Sequence, residues 1–565
     1  MNSARRRLFN VPPASHCILQ SAPCCAEVSL LANFLYVTLA VRRRLSLSRR
    51  PSLRSLAYKK ARTSVLRWHY PPCLTSSLLA RIQNRKRAMQ KAAKLLWLLA
   101  CFPPLSSAAG YPRNIETSDA AKYHAATSSA SHKNVTSASA MNINLEKRGG
   151  TKYVFMHHIV GSESGSRNCI VQGLIFSWRL RCTDTFPYTQ ADWADDLRQI
   201  QAKGVDALAL NMGAQGWQRK QVASAYAAAA QLGANLKLFL SFDFTAMACD
   251  LNDLVGRVND FAGHPNQFRV DGKVMVSSFS GDCLGNAGWA SLKAQTNAYL
   301  MPFIWGLEGR FSEWSSLDSW YCWGCAWPSG NADKTTGDDE YYLSQLGPRY
   351  TTTVSPWMFT HYDYKNWYQR GDDWLLLARW EQLIAMRDRL TFVELVSWND
   401  YGESHYMGPV KGAQPDGTTW TAGFPHTAWY DLCEYYITVF KTGSYPTITQ
   451  DVIYYWARPH PAGATASSDG LGKPQGWDWT PDTLWAVVFA ASPSTVTLTV
   501  GSSTQTFSDV PAGVTKLQIP LAPGQITVKM VRNGATVIEQ TPADYTYGIN
   551  PVTYNYNAYV GAARA

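Results

Sequence analysis

From residue 150 to about residue 440 the chain alternates short, β-rich apolar runs with amphipathic helical stretches, a rhythm that few folds can satisfy. The expected strands are Tyr153–Ile159, Val205–Asn211, Asn235–Asp243, Lys273–Phe279, Tyr299–Trp305, Leu317–Trp323, Tyr350–Met358 and Thr391–Trp398. Trp193, Leu197 and Ile200 recur at helical spacing behind a Thr189 cap, and Leu251, Leu254, Val255, Val258 and Phe261 do so behind Asp250. Gly204 and Gly233 stop helices where the next strand begins. Eight such units predict an α/β fold, a (β/α)8 TIM-type barrel over residues 149–445, whose reacting groups would sit at the C-terminal strand ends. Past the helical stretch around Thr427–Phe440 the apolar period shortens to two. Thr495–Val500, Lys516–Ile519 and Gln525–Val531, separated by Pro and Gly turns, predict a C-terminal all-β, sandwich-like domain over residues 446–565, packed on the barrel by default.

The chain before residue 149 has none of this pattern. Lys91 and Lys94, the apolar run Leu95–Phe102 and small residues through Ala109 read as a secretory signal peptide over 89–109. A signal sequence must leave the ribosome first, so Met89 is read as the initiator and residues 1–88 as an artefact of gene prediction. The rival reading, a signal anchor at Leu30–Val41, falls short of the roughly 20 apolar residues that a membrane span needs. Residues 110–148, rich in Ser, Ala and Thr, read as a pro-segment or linker ending in the dibasic pair Lys147-Arg148.

Charge divides at the same place. The formal net charge is +12, yet 24 of the 53 Lys and Arg and only 4 of the 41 acids precede residue 149, leaving 29 bases against 37 acids. The body is acidic, which removes the case for a nucleic-acid partner. No stable membrane association is expected, and the destination read from the signal peptide is secreted, extracellular or cell wall, as a monomer. Cys322 and Cys325 read as a local disulfide and Cys249 with Cys283 as a second. No cofactor and no metal are expected, because the lone C-x-x-C has no second pair or His at ligand spacing.

Barrel geometry directs attention just past each strand. The strongest candidates are Asp400 and Glu403, three positions apart beyond the last expected strand, which ends at Trp398. Glycosidic cleavage needs two carboxyl groups, one to protonate the leaving oxygen and one to activate water or attack the anomeric carbon. Trp398, Tyr401 and Tyr406 would serve as flat apolar platforms for sugar rings, in keeping with a chain that holds 22 Trp and 29 Tyr. Asp243 at the end of the third expected strand, His157 and His158 after the first, and Asn211 after the second are candidate substrate ligands; Asn399 and His405 complete the set. The competing structural readings are a helix cap for Asp243, a cap and a solvated charge for Asp400 and Glu403, and satisfied core histidines.

Five strings carry a resemblance: Val154 to Gly161 (VFMHHIVG), Tyr188-Thr189 with Asp192-Trp193, Asp206 to Asn211, Lys237 to Asp243, and Trp398 to Ser404 (WNDYGES). In this order they resemble family 71 of the glycoside hydrolases, fungal endo-α-1,3-glucanases also called mutanases. The resemblance runs from about residue 152 to the C-terminus and implies a barrel with a β-domain acting on α-1,3-glucan of the cell wall. It also implies inversion by Asp400 and Glu403, with Glu403 taken as acid and Asp400 as base, an order that can be reversed. The alternatives are a non-catalytic wall-glucan-binding protein or a barrel glycosidase for another polymer such as mannan. One departure stands out: Ser162–Asp184 interrupts the family pattern between Gly161 and Thr185, and is read as a retained in-frame intron.

Overall fold

The computed structural model describes residues 150–161, 183–371 and 373–565. The expected signal peptide, the pro-segment and residues 162–182 of the expected insert lie outside the described residues.

The described chain begins with β1 (Tyr153–Ile159), α1 (Gln190–Ala202), β2 (Ala207–Met212), α2 (Gly216–Gln231), β3 (Lys237–Asp243) and α3 (Leu251–Ala262). It continues through β4 (Arg269–Val270), β5 (Lys273–Phe279), α4 (Gly285–Thr296), β6 (Ala298–Phe303), β7 (Trp320–Tyr321), α5 (Gly337–Leu346) and β8 (Tyr350–Val354). Next come β9 (Phe359–Tyr362), β10 (Lys365–Tyr368), α6 (Leu375–Ala385), β11 (Phe392–Leu395) and α7 (Thr427–Thr442). Both expected caps form. Thr189 Oγ1 accepts from the Asp192 N–H while Asp192 returns a bond to the Thr189 N–H, and Asp250 accepts from the Asn252 and Asp253 N–H groups.

The strands make one curled parallel sheet in the order β6-β5-β3-β2-β1-β11-β8-β7, with the short β4 antiparallel on β5. The Leu300 carbonyl of β6 accepts from the N–H groups of Asp318 and Ser319 just before β7, at 3.1 and 2.9 Å. Seven of the eight expected strands coincide with observed ones to within a few residues. The eighth, Tyr350–Met358, stops at Val354, and a separate antiparallel hairpin, β9–β10, follows where no strand pair was expected.

The C-terminal region holds β12 (Val452–Ala457), β13 (Thr483–Ala490), β14 (Ser494–Val500), β15 (Ser503–Val510), β16 (Gly513–Pro520), β17 (Ile526–Arg532), β18 (Ala535–Gln540) and β19 (Tyr559–Arg564). They form two four-stranded antiparallel sheets, β16-β13-β12-β19 and β15-β14-β17-β18. Period two explains how they stack. In β12 and β13, Val452, Tyr454, Trp456, Trp485, Val487 and Phe489 join the core of the α/β region, while Ile453, Tyr455, Leu484, Ala486 and Val488 join the core shared with the second sheet. A sheet covered on both faces needs apolar residues throughout. In β14, Val496, Leu498 and Val500 are buried and the intervening threonines face outward, so that strand alternates. Both expected disulfides, Cys249–Cys283 and Cys322–Cys325, are present, and Cys433 is a buried free thiol.

Thr183 and Asp184, the last two residues of the expected insert, are packed: Asp184 exchanges backbone bonds with Ala413, and its carbonyl lies where a Cβ on Gly412 would fall. Thr185 donates to the Val160 carbonyl through both N–H and hydroxyl, at 3.3 and 2.6 Å, so the two flanks of the segment lie side by side. No helix of the described residues is long and apolar enough to cross a membrane.

Candidate active site

Beyond β11 the chain folds back on itself in a tight loop. The Asp400 N–H donates to Ser397 Oγ at 2.9 Å, and Asp400 Oδ1 accepts from the Glu403 N–H at 3.1 Å, closing the single 3-10 turn Tyr401–Glu403. Ser404 then takes the left-handed region at φ 61°, rare for a side chain other than glycine, and turns the chain so that His405 returns beneath the turn. A side chain at Gly402 would push on the Tyr362 hydroxyl, which lies 2.8 Å from where its Cβ would stand.

The acids converge on that histidine. His405 Nε2 lies 3.0 Å from Glu403 Oε2 and 3.5 Å from Asp400 Oδ2, and Nδ1 lies 3.1 Å from Ser397 Oγ. One oxygen of each acid and one His405 ring nitrogen lie within 4.8 Å of one another. Burial lowers His405 to about 4, against the pull of the Asp400 charge. A neutral ring fits one tautomer, with the Ser397 hydroxyl donating to Nδ1 and Nε2–H donating to Glu403. The other Glu403 oxygen is held by the Lys365 ammonium, which burial brings down to about 8 while Asp400 works the other way. His405 is sealed, whereas the Asp400 and Glu403 side chains keep 21% and 19% of their surface open, enough for a ligand to reach them.

Aromatic rings reach the acid loop through Trp323, beside His405, and Tyr362, beside Gly402, but they are not the ones the sequence suggested. Phe279 ends β5, and Trp305 and Trp323 follow β6 and β7. The Trp323 ring centre lies 5.2 Å from that of Phe279, 4.9 Å from that of His157 and 5.9 Å from that of His405. Trp305 is 38% exposed, and Tyr364 at the tip of the β9–β10 hairpin is 66% exposed and stacked on Tyr362. Flat, accessible rings of this kind suit sugar faces.

The expected platforms are core instead. Trp398 is buried edge-on to Tyr430 at 5.3 Å, Tyr401 donates its hydroxyl to the Pro409 carbonyl, and Tyr406 stacks on His426 at 4.0 Å. The loop doubles back on itself, so its large rings turn inward and fill the bend. Asn399 is likewise buried: its Oδ1 accepts from the Ile159 N–H and its Nδ2 donates to the Ile159 carbonyl, both at 2.8 Å. The amide thus clamps the loop to the end of β1 in place of the expected sugar contact. Replacing it, N399A, strands the Ile159 N–H and leaves the Ile159 carbonyl only His158 Nδ1 at 3.2 Å, and should lower unfolding free energy by about 1–3 kcal/mol. Denaturant titration checks this; a sugar-ligand role would instead raise KM at unchanged stability.

His157 and His158 are both buried, on opposite faces of β1. His157 Nδ1 lies 2.7 Å from Glu394 Oε1, an acid at the centre of β11 that sequence reading passed over although it breaks an apolar run. His158 Nε2 lies 3.1 Å from Asp196 of α1, whose other oxygen takes the Lys411 ammonium at 2.7 Å. Asn211 is buried at the end of β2, in register with Ile159 and Ser241. Asp243 Oδ1 accepts from the Thr245 N–H and hydroxyl at 3.0 and 2.6 Å, making it a turn-former at the β3 end. Burial, with the Glu394 and Asp243 charges behind it, holds the Tyr321 phenol well above its ordinary value. Sequence reading also missed Lys365, for which no periodic signal exists.

Two reachable carboxyl groups past a strand of a curled parallel sheet, bordered by open aromatic rings, are the equipment of a glycoside hydrolase. The sequence profile of glycosyl hydrolase family 71 matches residues 178–565, more than half of the chain. The chain belongs to that family. It is 39% identical over 398 residues to a glucan endo-1,3-alpha-glucosidase of Schizosaccharomyces pombe, covering 67% of this chain and 92% of that one. It is 32% identical over 443 residues to a mutanase of Penicillium rubens, covering 76% and 92%. Among solved structures, a family GH99 endo-alpha-mannosidase from Bacteroides thetaiotaomicron aligns with TM-score 0.39 and 14% identity, covering 52% of this chain and 98% of that chain.

Proposed function

We propose that this protein hydrolyses internal α-1,3-glucosidic bonds of fungal cell-wall glucan, with Asp400 and Glu403 as the acid–base pair. The observation that carries the reading is the convergence of both carboxyl groups on buried His405 while both stay reachable from outside. Family membership and the two named relatives support the substrate. The fold reading behind it is a closed eight-stranded barrel with a β-sandwich, supported by the strand order and by the Leu300 bonds between β6 and β7. Glu403 is taken as the acid and Asp400 as the base.

Inversion needs a water between the two groups, which calls for a separation of roughly 6.5–9.5 Å. In the resting site one oxygen of each acid lies within 4.8 Å of the other. Anomer analysis of the first products decides: a β-configured reducing end from the α-linked polymer means inversion, and an α-configured one means direct attack by a carboxylate. Incubation with α-1,3-glucan, β-1,3-glucan and mannan in parallel tests the substrate; reducing ends are expected from the first alone. The enzyme to use begins at Gly149, after the proposed signal peptide (89–109) and pro-segment (110–148), and works as a secreted monomer without cofactor. A transcript lacking the codons for Ser162–Asp184 would make that whole segment the stretch to delete.

A further inference from the structure

The acid pair is not built by the α/β region alone. Lys365, which supplies its positive charge, stands on the β9–β10 hairpin, and that hairpin is pinned from behind by the segment joining β12 to β13. The Tyr368 N–H donates to the Gln475 carbonyl at 2.8 Å, the Gln475 N–H donates to the Asn366 carbonyl at 3.0 Å, and Asn366 Nδ2 donates to the Gly472 carbonyl at 3.2 Å. Opposite Asn366 in the ladder stands His361. Its Nδ1 lies 2.8 Å from Asn366 Oδ1 and its Nε2 lies 2.8 Å from Asp469 Oδ2, which also accepts from the Tyr554 N–H at 2.8 Å. The His361 and Asp469 side chains are 9% and 4% exposed, so this clamp is nearly dry.

We propose that Lys365 is a positioning residue for glycosidic cleavage, held on Glu403 by the C-terminal β-region through the His361–Asp469 clamp. The inference deepens the proposed function and rests on it. Lys365 on one Glu403 oxygen and His405 on the other fix the plane of the carboxyl group. An ammonium on Glu403 favours loss of its proton, which is the step a general acid must perform. The titratable groups facing Glu403 are Lys365 and Tyr362 from the hairpin and Asp400 and His405 from its own loop; of these only Lys365 is cationic at neutral pH. The β-region therefore completes the active site instead of merely packing on it.

The test is the kinetics of K365M, K365R, H361Q and D469N in the full enzyme, with D400N and E403Q as references. K365M should lower kcat roughly tenfold with little change in KM, and move the pH limb governed by Glu403 upward by about one unit. K365R, which keeps the charge, should recover part of kcat and return the limb. D469N and H361Q should shift both quantities in the K365M direction by less, whatever they cost in melting temperature. K365M with wild-type kcat and pH limbs, beside inactive D400N, overturns the role of Lys365 and leaves the acid pair standing. Active D400N and E403Q would instead remove the underlying reading. D469N and H361Q that alter only melting temperature overturn the contribution of the β-region. Should K365M be recovered only unfolded, unchanged kinetics in D469N and H361Q overturn the proposal.

Discussion

D400N should be folded and nearly inactive. Asparagine keeps the oxygen that caps the Glu403 N–H, so the loop retains its geometry while the group loses its proton chemistry. Removing a positioned acid or base costs typically 10²–10⁴-fold in rate, and a fall of that size in kcat, with binding to insoluble glucan preserved, is the expected result. E403Q should lose as much activity but also some stability, because the Lys365 ammonium is left facing a neutral amide. Reducing-sugar release together with a pelleting assay on insoluble α-1,3-glucan checks both. Undiminished release from both variants would remove the proposed chemistry, and lost binding in D400N would reassign Asp400 to substrate capture.

The second large effect concerns stability. Arg379 of α6 and Asp339 of α5 are both completely buried and face each other in a two-pronged pair at 2.6 and 2.7 Å. Tyr350 and Thr352 of β8 add their hydroxyls to Asp339 Oδ1, each at 2.8 Å, and Arg379 donates to the Thr353 carbonyl at 3.1 Å. The pair ties two helices to one strand of the parallel sheet. R379M leaves a carboxylate stranded in a dry interior and should cost about 3–5 kcal/mol. Pairing R379M with D339L should return much of that loss, because desolvating the two ions offsets most of what their attraction contributes.

The pH dependence has a definite sign. In the native protein burial opposes ionisation of Asp339, but Arg379 outweighs it and holds the acid below its ordinary value. That contribution is therefore present at neutral pH and lost as pH falls through the native value. In R379M burial meets only the weaker pull of Lys334 and the Thr352 hydroxyl and raises the acid, so protonation relieves the stranded charge and the deficit shrinks toward acid pH. Denaturant melts of both variants at neutral and mildly acidic pH read this directly. A deficit independent of pH would point to lost packing of the guanidinium stem instead.

The alternation of strands and helices, the Thr189 and Asp250 caps and the outward threonines of β14 were all legible in the chain, because each is set by residues within a few positions of one another. So was the location of Asp400 and Glu403 past the last parallel strand, since a strand end and a D-x-x-E spacing are both local. Trp398 and Tyr401 misled for the complementary reason. Being next to an acid in sequence says nothing about which way a ring turns when the loop doubles back.

What surrounds the acids was decided by contacts between distant segments. Lys365 reaches Glu403 across 38 positions, Asp469 reaches His361 across 108, and Glu394 reaches His157 across 237. Periodicity reports which face of an element avoids water, and that suffices to order strands and helices. It carries no information on which remote charge meets a buried one, because that pairing is selected by the energy of desolvating both partners together, and only the packed chain brings them within reach.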